Sequence, residues 1–330
     1  MDPVAETVVH LGEEGLLRRI AGRLAQIPGA PKVVGDDTAV LESPRGRLLL
    51  TTDMLVDNVD FNLSYCSGAD IGWKAVAVNA SDIAAMGGAP LHAVVSVGLP
   101  RGTTIDLFDD LLEGLIQACS RWSLTLAGGD LSEAGELSVS VSMTGTALRP
   151  VMRSGAEPGH IIWVTGTLGG AAAGLRALVA GDTAGDEATT AAIDRQLRPS
   201  ARVEEGRAAA QLGASSMIDL SDGLAVDLER LMEAGGTGCR IDRAAIPVDP
   251  TALRLAAGDD EAFDLAVRGG EDFGLLFCAP AERSAAIRRG FAGIGAGATE
   301  IGTVGDEGCF IGDEPLGRWK EGSWEHLRNR

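Results

Sequence analysis

The chain has 330 residues, of which 45% are hydrophobic, and this composition excludes an intrinsically disordered protein. The 47 acidic residues outnumber the 28 Lys and Arg residues, giving a formal net charge of −19. Nucleic acid and anionic membranes are also negatively charged, so we expect neither as a partner. A chain of this length predicts two domains.

The N-terminal sequence shows no targeting signal. MDPVAETVVHLGEEG is acidic and lacks the basic and apolar regions of a signal peptide, and no run of about 18 apolar residues predicts a membrane helix. The cysteines never form a CxxC pair, which is typical of reduced thiols; they are Cys66, Cys119, Cys239, Cys278 and Cys309. We therefore expect a cytoplasmic protein.

The first half of the chain alternates helix and strand patterns. Apolar residues at helical spacing predict helices over Glu14–Gln26, Ala69–Met86 and Ile105–Trp122. Other segments have strand patterns, namely Thr38–Leu41, Arg47–Asp53, Leu91–Leu99, Leu124–Asp130 and Leu137–Leu148. This mixture predicts an α+β domain.

Turn-forming residues between Arg149 and Gly159 predict the domain boundary, so we assign residues 1–149 and 150–330 to two domains. The second half begins with a predicted strand over Ile161–Gly166 and an Ala-rich helix from Leu168, followed by a polar loop around Gly181–Glu187. Further helices are predicted over Arg202–Leu212 and Leu224–Ala234, and the segments DFGLLFC and GCFIG predict short strands.

Aspartates that end strands or stand beside glycines are the residues that could carry chemistry. They occur in GDD at residues 35–37, TTD at 51–53, NASD at 79–82, AGGD at 127–130, DLSD at 219–222 and GGED at 269–272. Carboxylate and hydroxyl oxygens suit Mg²⁺, which usually coordinates substrate phosphates as well. The only lysines are Lys32, Lys74 and Lys320, so a phosphate site here would depend mainly on metal ions and arginine.

Several motifs also have a purely structural explanation. Ser221 or Asp222 could cap the helix that begins at Leu224, and GDD could be an ordinary turn. Asp82 is harder to explain in this way, because a carboxylate in an Ala-rich helix needs a partner when it is buried. The stretch VTGTLGGAAAGL resembles a dinucleotide loop but lacks GxGxxG, so we interpret it as a strand-to-helix turn. There is no GxxxxGK[ST], GxSxG or HExxH motif.

Together, the motifs occur in an order that resembles the thiamine-monophosphate kinase family. From about Gly12 to Leu327 they are GDDTAV, LLLTTDMLVDNVDF, WKAVAVNASDIAAMGGAP, LAGGD, RSGAEPGHIIWVTGTLGG, MIDLSDGLAVDLERL, GGEDFGLLF and GSWEHL. The resemblance implies the two-domain α+β fold of aminoimidazole ribonucleotide synthetase, with a C-terminal α/β sandwich. It also implies a homodimer whose N-terminal strands pair across the two chains, and ATP with several Mg²⁺ ions in a cleft between the domains.

The resemblance further implies roles for individual residues. The implied metal ligands are Asp36, Thr51, Thr52, Asp53, Asp82, Asp130, Asp219 and Asp222. The implied nucleotide contacts are Gly129, Asp130, Arg153 and Ser221, and no side chain is implied as a catalytic base. Glu271 and Trp324 would line the thiamine pocket, with the indole stacked on the cationic heterocycle. Trp324 could instead be a packed terminal aromatic, and Trp319 is a weaker candidate for the same role.

The chain departs from the family pattern beside the expected substrate. The usual His-Phe pair is replaced by Asp60-Phe61, and an ionised Asp would repel a phosphate to which His could donate. We therefore expect Asp60 near the substrate and predict an influence on affinity or substrate identity. Gly274 and His160 replace a Glu and an Asp of the pattern, which we expect to be tolerated.

The activity that the resemblance implies is ATP-dependent phosphorylation of thiamine monophosphate to thiamine diphosphate. The terminal phosphate oxygen of the substrate is already largely deprotonated near neutral pH and would attack the γ-phosphorus in line, so no protein base is required. Two alternatives stay open. One is another ATP-using enzyme of the superfamily, and the other is a nucleotide- or thiamine-phosphate-binding protein that has lost turnover.

Overall fold

The computed structural model describes residues 39–43, 46–182 and 185–320. The predicted helix over Glu14–Gln26 and the candidate residues Asp36 and Trp324 lie outside these ranges. Within the described ranges, the helices are too short or too polar to cross a bilayer.

The N-terminal part contains a five-stranded sheet in the order β1-β2-β5-β3-β4. Its strands are β1 (Ala39–Ser43), β2 (Gly46–Val56), β3 (Ala89–Leu99), β4 (Thr125–Glu133) and β5 (Ser138–Ala147). Neighbouring strands are antiparallel except β3 and β4. In β5, buried residues alternate with half-buried ones, so one face of the sheet packs on the core and the other is open.

Two helices cover the packed face of this sheet, α1 (Gly68–Ala85) and α2 (Ile105–Arg121). α1 begins with a capping box, in which the Ser67 hydroxyl accepts from the Asp70 backbone and the Asp70 carboxylate accepts from the Ser67 backbone. The two helix backbones are in close contact. A Cβ on Gly114 of α2 would lie 2.0 Å from the carbonyl oxygen of Ala69.

The C-terminal part contains a seven-stranded sheet in the order β12-β11-β8-β10-β6-β9-β7. Its strands are β6 (Ile161–Thr165), β7 (Ser216–Asp219), β8 (Gly238–Ile241), β9 (Leu275–Ala279), β10 (Ala298–Gly305), β11 (Cys309–Ile311) and β12 (Glu314–Pro315). The accompanying helices are α3 (Gly170–Ala180), α4 (Glu187–Leu197), α5 (Val203–Leu212), α6 (Leu224–Gly235), α7 (Pro250–Leu255), α8 (Asp259–Arg268), α9 (Ser284–Gly293) and α10 (Gly317–Lys320).

The predicted α+β class is confirmed, and the segments predicted as strands or helices in the described ranges form those elements within a few residues. The stretch VTGTLGGAAAGL forms a strand-to-helix turn, as predicted, with Gly166 at φ 71° and Gly169 at φ 91°. None of the five cysteines forms a disulfide. The domain boundary at residue 149 stays a prediction.

Helix α4 was not predicted, although it lies in the described part of the chain. Its sequence EATTAAIDRQL carries few large apolar residues, so its helical periodicity is weak. The available signal was Asp186, whose carboxylate accepts a hydrogen bond of 3.1 Å from the Thr189 backbone and caps the helix.

Helix α1 also packs against the C-terminal part. The Asp70 carboxylate lies 2.7 Å from the Arg198 guanidinium, and the Trp73 indole donates to the Pro199 carbonyl over 2.8 Å. Farther along, a Cβ on Gly206 of α5 would lie 2.1 Å from the Ala84 carbonyl oxygen. One helix therefore packs on both sheets and fixes their relative placement.

We expect Gly114→Ala to destabilise the protein, because its Cβ has no space against the α1 backbone. Overpacking of this kind costs about 1–3 kcal/mol, more than the gain of up to about 1 kcal/mol from replacing a helical glycine. The check is the midpoint of urea unfolding.

The matched control is Gly293→Ala, at a helical glycine with open space around it. It should leave stability unchanged or raise it. Equal midpoints for both variants would contradict the close approach of α1 and α2.

Candidate active site

A cavity of about 740 Å³ is lined by both parts of the chain. The N-terminal part contributes the end of β2, the loop after it and one face of α1, while the C-terminal part contributes α3 and the DLSD and GGED segments. The acidic side chains that line it are Asp53, Asp60, Asp70, Asp82, Asp219, Asp222 and Glu271. The structure therefore brings most of the sequence-predicted acids to one place.

Strand alternation separates the three residues of the TTD motif. Thr51 is buried and its hydroxyl donates to the Asp82 carboxylate, while Asp53 lines the cavity. Thr52 points to the opposite face of the sheet, where its hydroxyl lies 3.0 Å from that of Ser142. The structure thus places Thr51, Asp53 and Asp82 on the cavity side and the Thr52 side chain on the other side.

Asp219 lies at the end of β7 and is almost completely buried. The Ser81 hydroxyl donates to its carboxylate over 2.6 Å. Ser81 directly precedes Asp82 on α1, so the same helix turn contacts one carboxylate and carries the other. Ser81 was not identified from the sequence, since its partner is 138 residues away.

The DLSD segment is held by charges from the following helix. The Asp222 backbone donates to the Asp227 carboxylate over 3.0 Å, and the Arg230 guanidinium contacts both carboxylates. Burial raises the pKa of Asp227 above its ordinary value, the negative charge of Asp222 acts in the same direction, and the cations of Arg230 and Arg153 oppose them. Arg153 therefore lies within electrostatic reach of this group.

The structural explanation for this segment was wrong, because no side chain caps α6. The residue at the cap position is Gly223, at φ 106°, with no side-chain hydrogen bond to the helix. Ser221 and Asp222 precede it and line the cavity instead. Neither side chain caps the helix, and the Asp222 carboxylate pairs with Arg230 instead.

The GGED segment adopts a backbone conformation that L side chains rarely adopt. Glu271 has φ 65° and Phe273 has φ 47°. Backbone hydrogen bonds stabilise it, with Glu271 donating to the Ser221 carbonyl over 2.8 Å and Phe273 to the Leu220 carbonyl over 2.9 Å. Such strain is concentrated at functional sites, where the surrounding contacts hold it in place.

The carboxylate of Glu271 is held by two side chains that sequence reasoning missed. The Lys74 ammonium lies 2.5 Å from one oxygen, and the Gln196 amide donates to the other. Lys74 is buried on α1 and also donates to the Asp60 carbonyl over 3.3 Å. Lys74 and Gln196 lie far from Glu271 in the sequence. No local sequence pattern therefore reveals these two contacts.

Asp60 has a structural partner as well as a place in the cavity lining. Its carboxylate accepts a 2.8 Å hydrogen bond from the Val56 backbone and so closes the loop after β2. Asp60 therefore lies in the cavity lining, and its proximity to the substrate and its effect on affinity stay predictions.

Four other candidates lie outside the cavity lining, and one of them is Arg153, which lies in a short 3₁₀ helix over Arg153–Gly155. Gly129 and Asp130 belong to the exposed edge strand β4, and Asp130 stands opposite Ser96 of β3. Trp319 is buried and packs edge-on against Phe263, with ring centroids 5.3 Å apart, so it is a core residue.

The donor set of the cavity suits magnesium. Its acidic and hydroxyl side chains offer only oxygen, the ligand that Mg²⁺ prefers. In residues 46–182 and 185–320, no three His, Cys, Asp or Glu side chains are assembled closely enough to hold a metal by themselves. Mg²⁺ is commonly held by one or two carboxylates together with substrate phosphates and water, and the cavity fits that mode of binding.

Asp272 follows Glu271 and anchors the segment to α3. Its carboxylate accepts hydrogen bonds of 2.6 and 3.2 Å from the Gly169 and Ala171 backbones at the start of that helix. Burial raises the pKa of Asp272 to about 7, although these two bonds act in the opposite direction.

The chain is similar to known proteins over most of its length. Residues 35–147 match the family AIR synthase related protein, N-terminal domain, and residues 157–312 match AIR synthase related protein, C-terminal domain. The thiamine-monophosphate kinase of Aquifex aeolicus is 35% identical over 316 residues, which cover 94% of this chain and 98% of that protein. The thiamine-monophosphate kinase of Escherichia coli K12 is 39% identical over 293 residues, covering 86% and 88%.

A solved structure is similar over the same length. AaThiL complexed with AMPPCP and TMP superposes with a TM-score of 0.88 at 33% identity, covering 98% of this chain and 100% of that chain.

We expect the pH dependence of stability to change in Asp272→Asn. Because the folded pKa lies above the ordinary value near 3.8, the folded state holds its proton more tightly, and the resulting stability is lost as pH rises from about 4 to about 7. The free energy of unfolding of the native chain, relative to the variant, should fall by up to about 1.4 kcal/mol per pH unit in that window.

Urea unfolding of both proteins at several pH values measures this difference, and the amide variant serves as the reference because it does not titrate there. A difference that stays constant between pH 4 and 7 would contradict the raised pKa.

Proposed function

This chain belongs to the thiamine-monophosphate kinase family, and we propose that it transfers the γ-phosphate of ATP to thiamine monophosphate, giving ADP and thiamine diphosphate. The observation that carries this proposal is the interdomain cavity lined by carboxylates, in a chain that superposes along 98% of its length on AaThiL complexed with AMPPCP and TMP. Another activity of the superfamily has no comparable support.

The reaction needs alignment and charge neutralisation more than proton transfer. An oxygen of the substrate phosphate forms a bond to the γ-phosphorus, while the bond from that phosphorus to the oxygen bridging to the β-phosphate breaks and ADP leaves. Near neutral pH the attacking phosphate is largely deprotonated. The absence of an implied catalytic base is therefore consistent with this chemistry.

Asp53, Asp82, Asp219 and Asp222 would hold magnesium together with phosphate oxygens. The bound ions supply neutralisation of the phosphate charge. The protein supports this arrangement by orienting the carboxylates, through the Thr51 hydroxyl for Asp82 and the Arg230 guanidinium for Asp222. Arg153, whose positive charge acts on the Asp227 carboxylate, would contact the nucleotide.

The cavity also suits an organic ring system. Tyr65, Phe61 and Phe273 line it together with Glu271. A carboxylate and aromatic side chains in one cavity suit a cationic heterocycle such as that of thiamine. Lys74 and Gln196 would fix the position of that carboxylate, and the contribution of Trp324 stays a prediction.

We also propose that the chain forms a homodimer through the outer face of the N-terminal sheet. This face carries the exposed apolar residues Leu50, Met54 and Val94, which are 40%, 55% and 48% exposed. Thr52 lies on this face, and Asp130 lies in the same row of the sheet as Met54. Thr52 and Asp130 thus lie on the side where a partner chain would bind. A cytoplasmic location stays a prediction.

The kinase proposal is tested by Asp219→Asn and Asp53→Asn, which remove a negative charge from the cavity while keeping the shape of the side chain. We expect each to lower the rate of thiamine diphosphate formation at saturating Mg²⁺ by about 100-fold or more. Product is identified by mass spectrometry, and thermal unfolding checks that the fold is intact. The matched control is Asp109→Asn, at an exposed position on α2, which should keep the native rate.

Near-native rates in both cavity variants would overturn the assignment of these carboxylates. A native protein that binds AMPPCP but forms no thiamine diphosphate would favour the alternative of a binding protein that has lost turnover.

The dimer proposal is tested by Val94→Asp, which places a charge in the proposed interface. We expect light scattering to give twice the mass of one chain for the native protein and the mass of one chain for the variant. Leu253→Asp on α7 is the control, because Leu253 is 50% exposed, closely matching Val94, and lies in the other domain. A monomeric native protein, or a dimeric Val94→Asp variant, would contradict the proposal.

A further inference from the structure

The hydrogen bond between Ser81 and Asp219 joins the two domains inside the protein. Ser81 is 0% exposed and Asp219 is 3% exposed, and the hydroxyl lies 2.6 Å from the carboxylate oxygen Oδ2. A short hydrogen bond from a neutral donor to an ionised acceptor is stronger than one between neutral groups. A carboxylate this deeply buried would be costly without such a donor.

The bond constrains the orientation of the Asp219 carboxylate. A carboxylate can rotate about its terminal torsion, which has broad preferences, so its direction is set by its partners. With Oδ2 held by α1, the plane of the group and the position of Oδ1 are tied to that helix. The backbone of β7 alone would leave this rotation open.

The neighbouring residue on α1 is oriented in the same manner. Asp82 accepts a hydrogen bond from the Thr51 hydroxyl of β2, while Ser81 donates to Asp219. Consecutive Cα atoms are about 3.8 Å apart, so Ser81 keeps the Asp219 carboxylate close to the segment that carries Asp82. One turn of α1 thus carries the Asp82 carboxylate of the N-terminal domain and holds the Asp219 carboxylate of the C-terminal domain by a hydrogen bond.

We propose that Ser81 is a positioning residue, whose hydroxyl holds the Asp219 carboxylate in the direction in which it and Asp82 bind a divalent cation together. The proposal rests on the metal-dependent site described under the proposed function. It adds that metal affinity depends on the docking of α1 against β7, because the bond exists only when both domains are in place.

A purely structural role for Ser81 makes a different prediction. If the bond only helped the domains to adhere, its loss would resemble the loss of any other polar contact between α1 and the C-terminal part. Trp73→Phe provides that comparison, because it removes the 2.8 Å bond from the indole to the Pro199 carbonyl, and Trp73 does not line the cavity.

The experiment is a titration of the full chain with Mn²⁺ in the presence of AMPPCP, followed by electron paramagnetic resonance. We expect Ser81→Ala to weaken Mn²⁺ binding by about 10-fold or more, as is typical when a group that orients a metal ligand is removed. Ser81→Thr, which restores the hydroxyl, should recover most of the affinity. Trp73→Phe should lower the unfolding temperature and leave Mn²⁺ binding within about twofold of native.

Steady-state kinetics supply a second readout. In Ser81→Ala the Mg²⁺ concentration for half-maximal rate should rise and kcat should fall, while the KM for thiamine monophosphate stays within about twofold. If Ser81→Ala does not fold, Ser81→Cys, whose thiol is a weak donor, is measured against the same criterion.

Native Mn²⁺ affinity in Ser81→Ala, an equal loss in Trp73→Phe, or no Mn²⁺ binding by the native protein would each overturn the proposal. Failure of the kinase proposal has a different signature. A native chain that binds Mn²⁺ and AMPPCP but forms no thiamine diphosphate would remove the proposed function, and the comparison of the Ser81 variants would still decide the positioning role.

Discussion

The docking of helix α1 against the C-terminal part is the constraint on which the site depends. Polar residues along this helix, at positions 70, 74 and 81, contact the other domain through Arg198, Glu271 and Asp219. Spacings of four and seven residues place them on one face of the helix. The cavity opens along the same face, so the packing that joins the domains also brings their carboxylates together.

Part of the negative charge of the chain lies at the cavity in this arrangement. Seven acidic side chains line one cavity, and Lys74 and Arg176 are the cations among the lining residues. Both are paired within the described structure, Lys74 with Glu271 and Arg176 with Glu261. An anionic phosphate can approach such a surface only with cations that accompany it. The acidity that disfavours nucleic acid is therefore the property that suits a nucleotide carried with magnesium.

Local patterns in the sequence predicted the elements, and long-range contacts determined how the site is assembled. The period of two along β2 separates Thr52 from Thr51 and Asp53, and that separation was readable from the sequence alone. The side chains that contact these carboxylates could not be predicted from the sequence. Lys74, Gln196 and Ser81 reach their carboxylates across 75 to 197 residues of chain, and for Lys74 and Ser81 the contact also depends on the docking of two domains. Only a strong local signal, such as the cap at Asp186, could have revealed the helix that carries Gln196.

We propose that carboxylates from both domains share the cations that accompany the phosphates. The most direct measurement is a crystal structure of the full chain with Mn²⁺, AMPPCP and thiamine monophosphate, in which anomalous scattering locates the metal. The account predicts a metal ion within about 2.2 Å of oxygens from both Asp82 and Asp219, with phosphate completing its coordination. Metal ions bound by only one domain, or located outside the interdomain cavity, would contradict it.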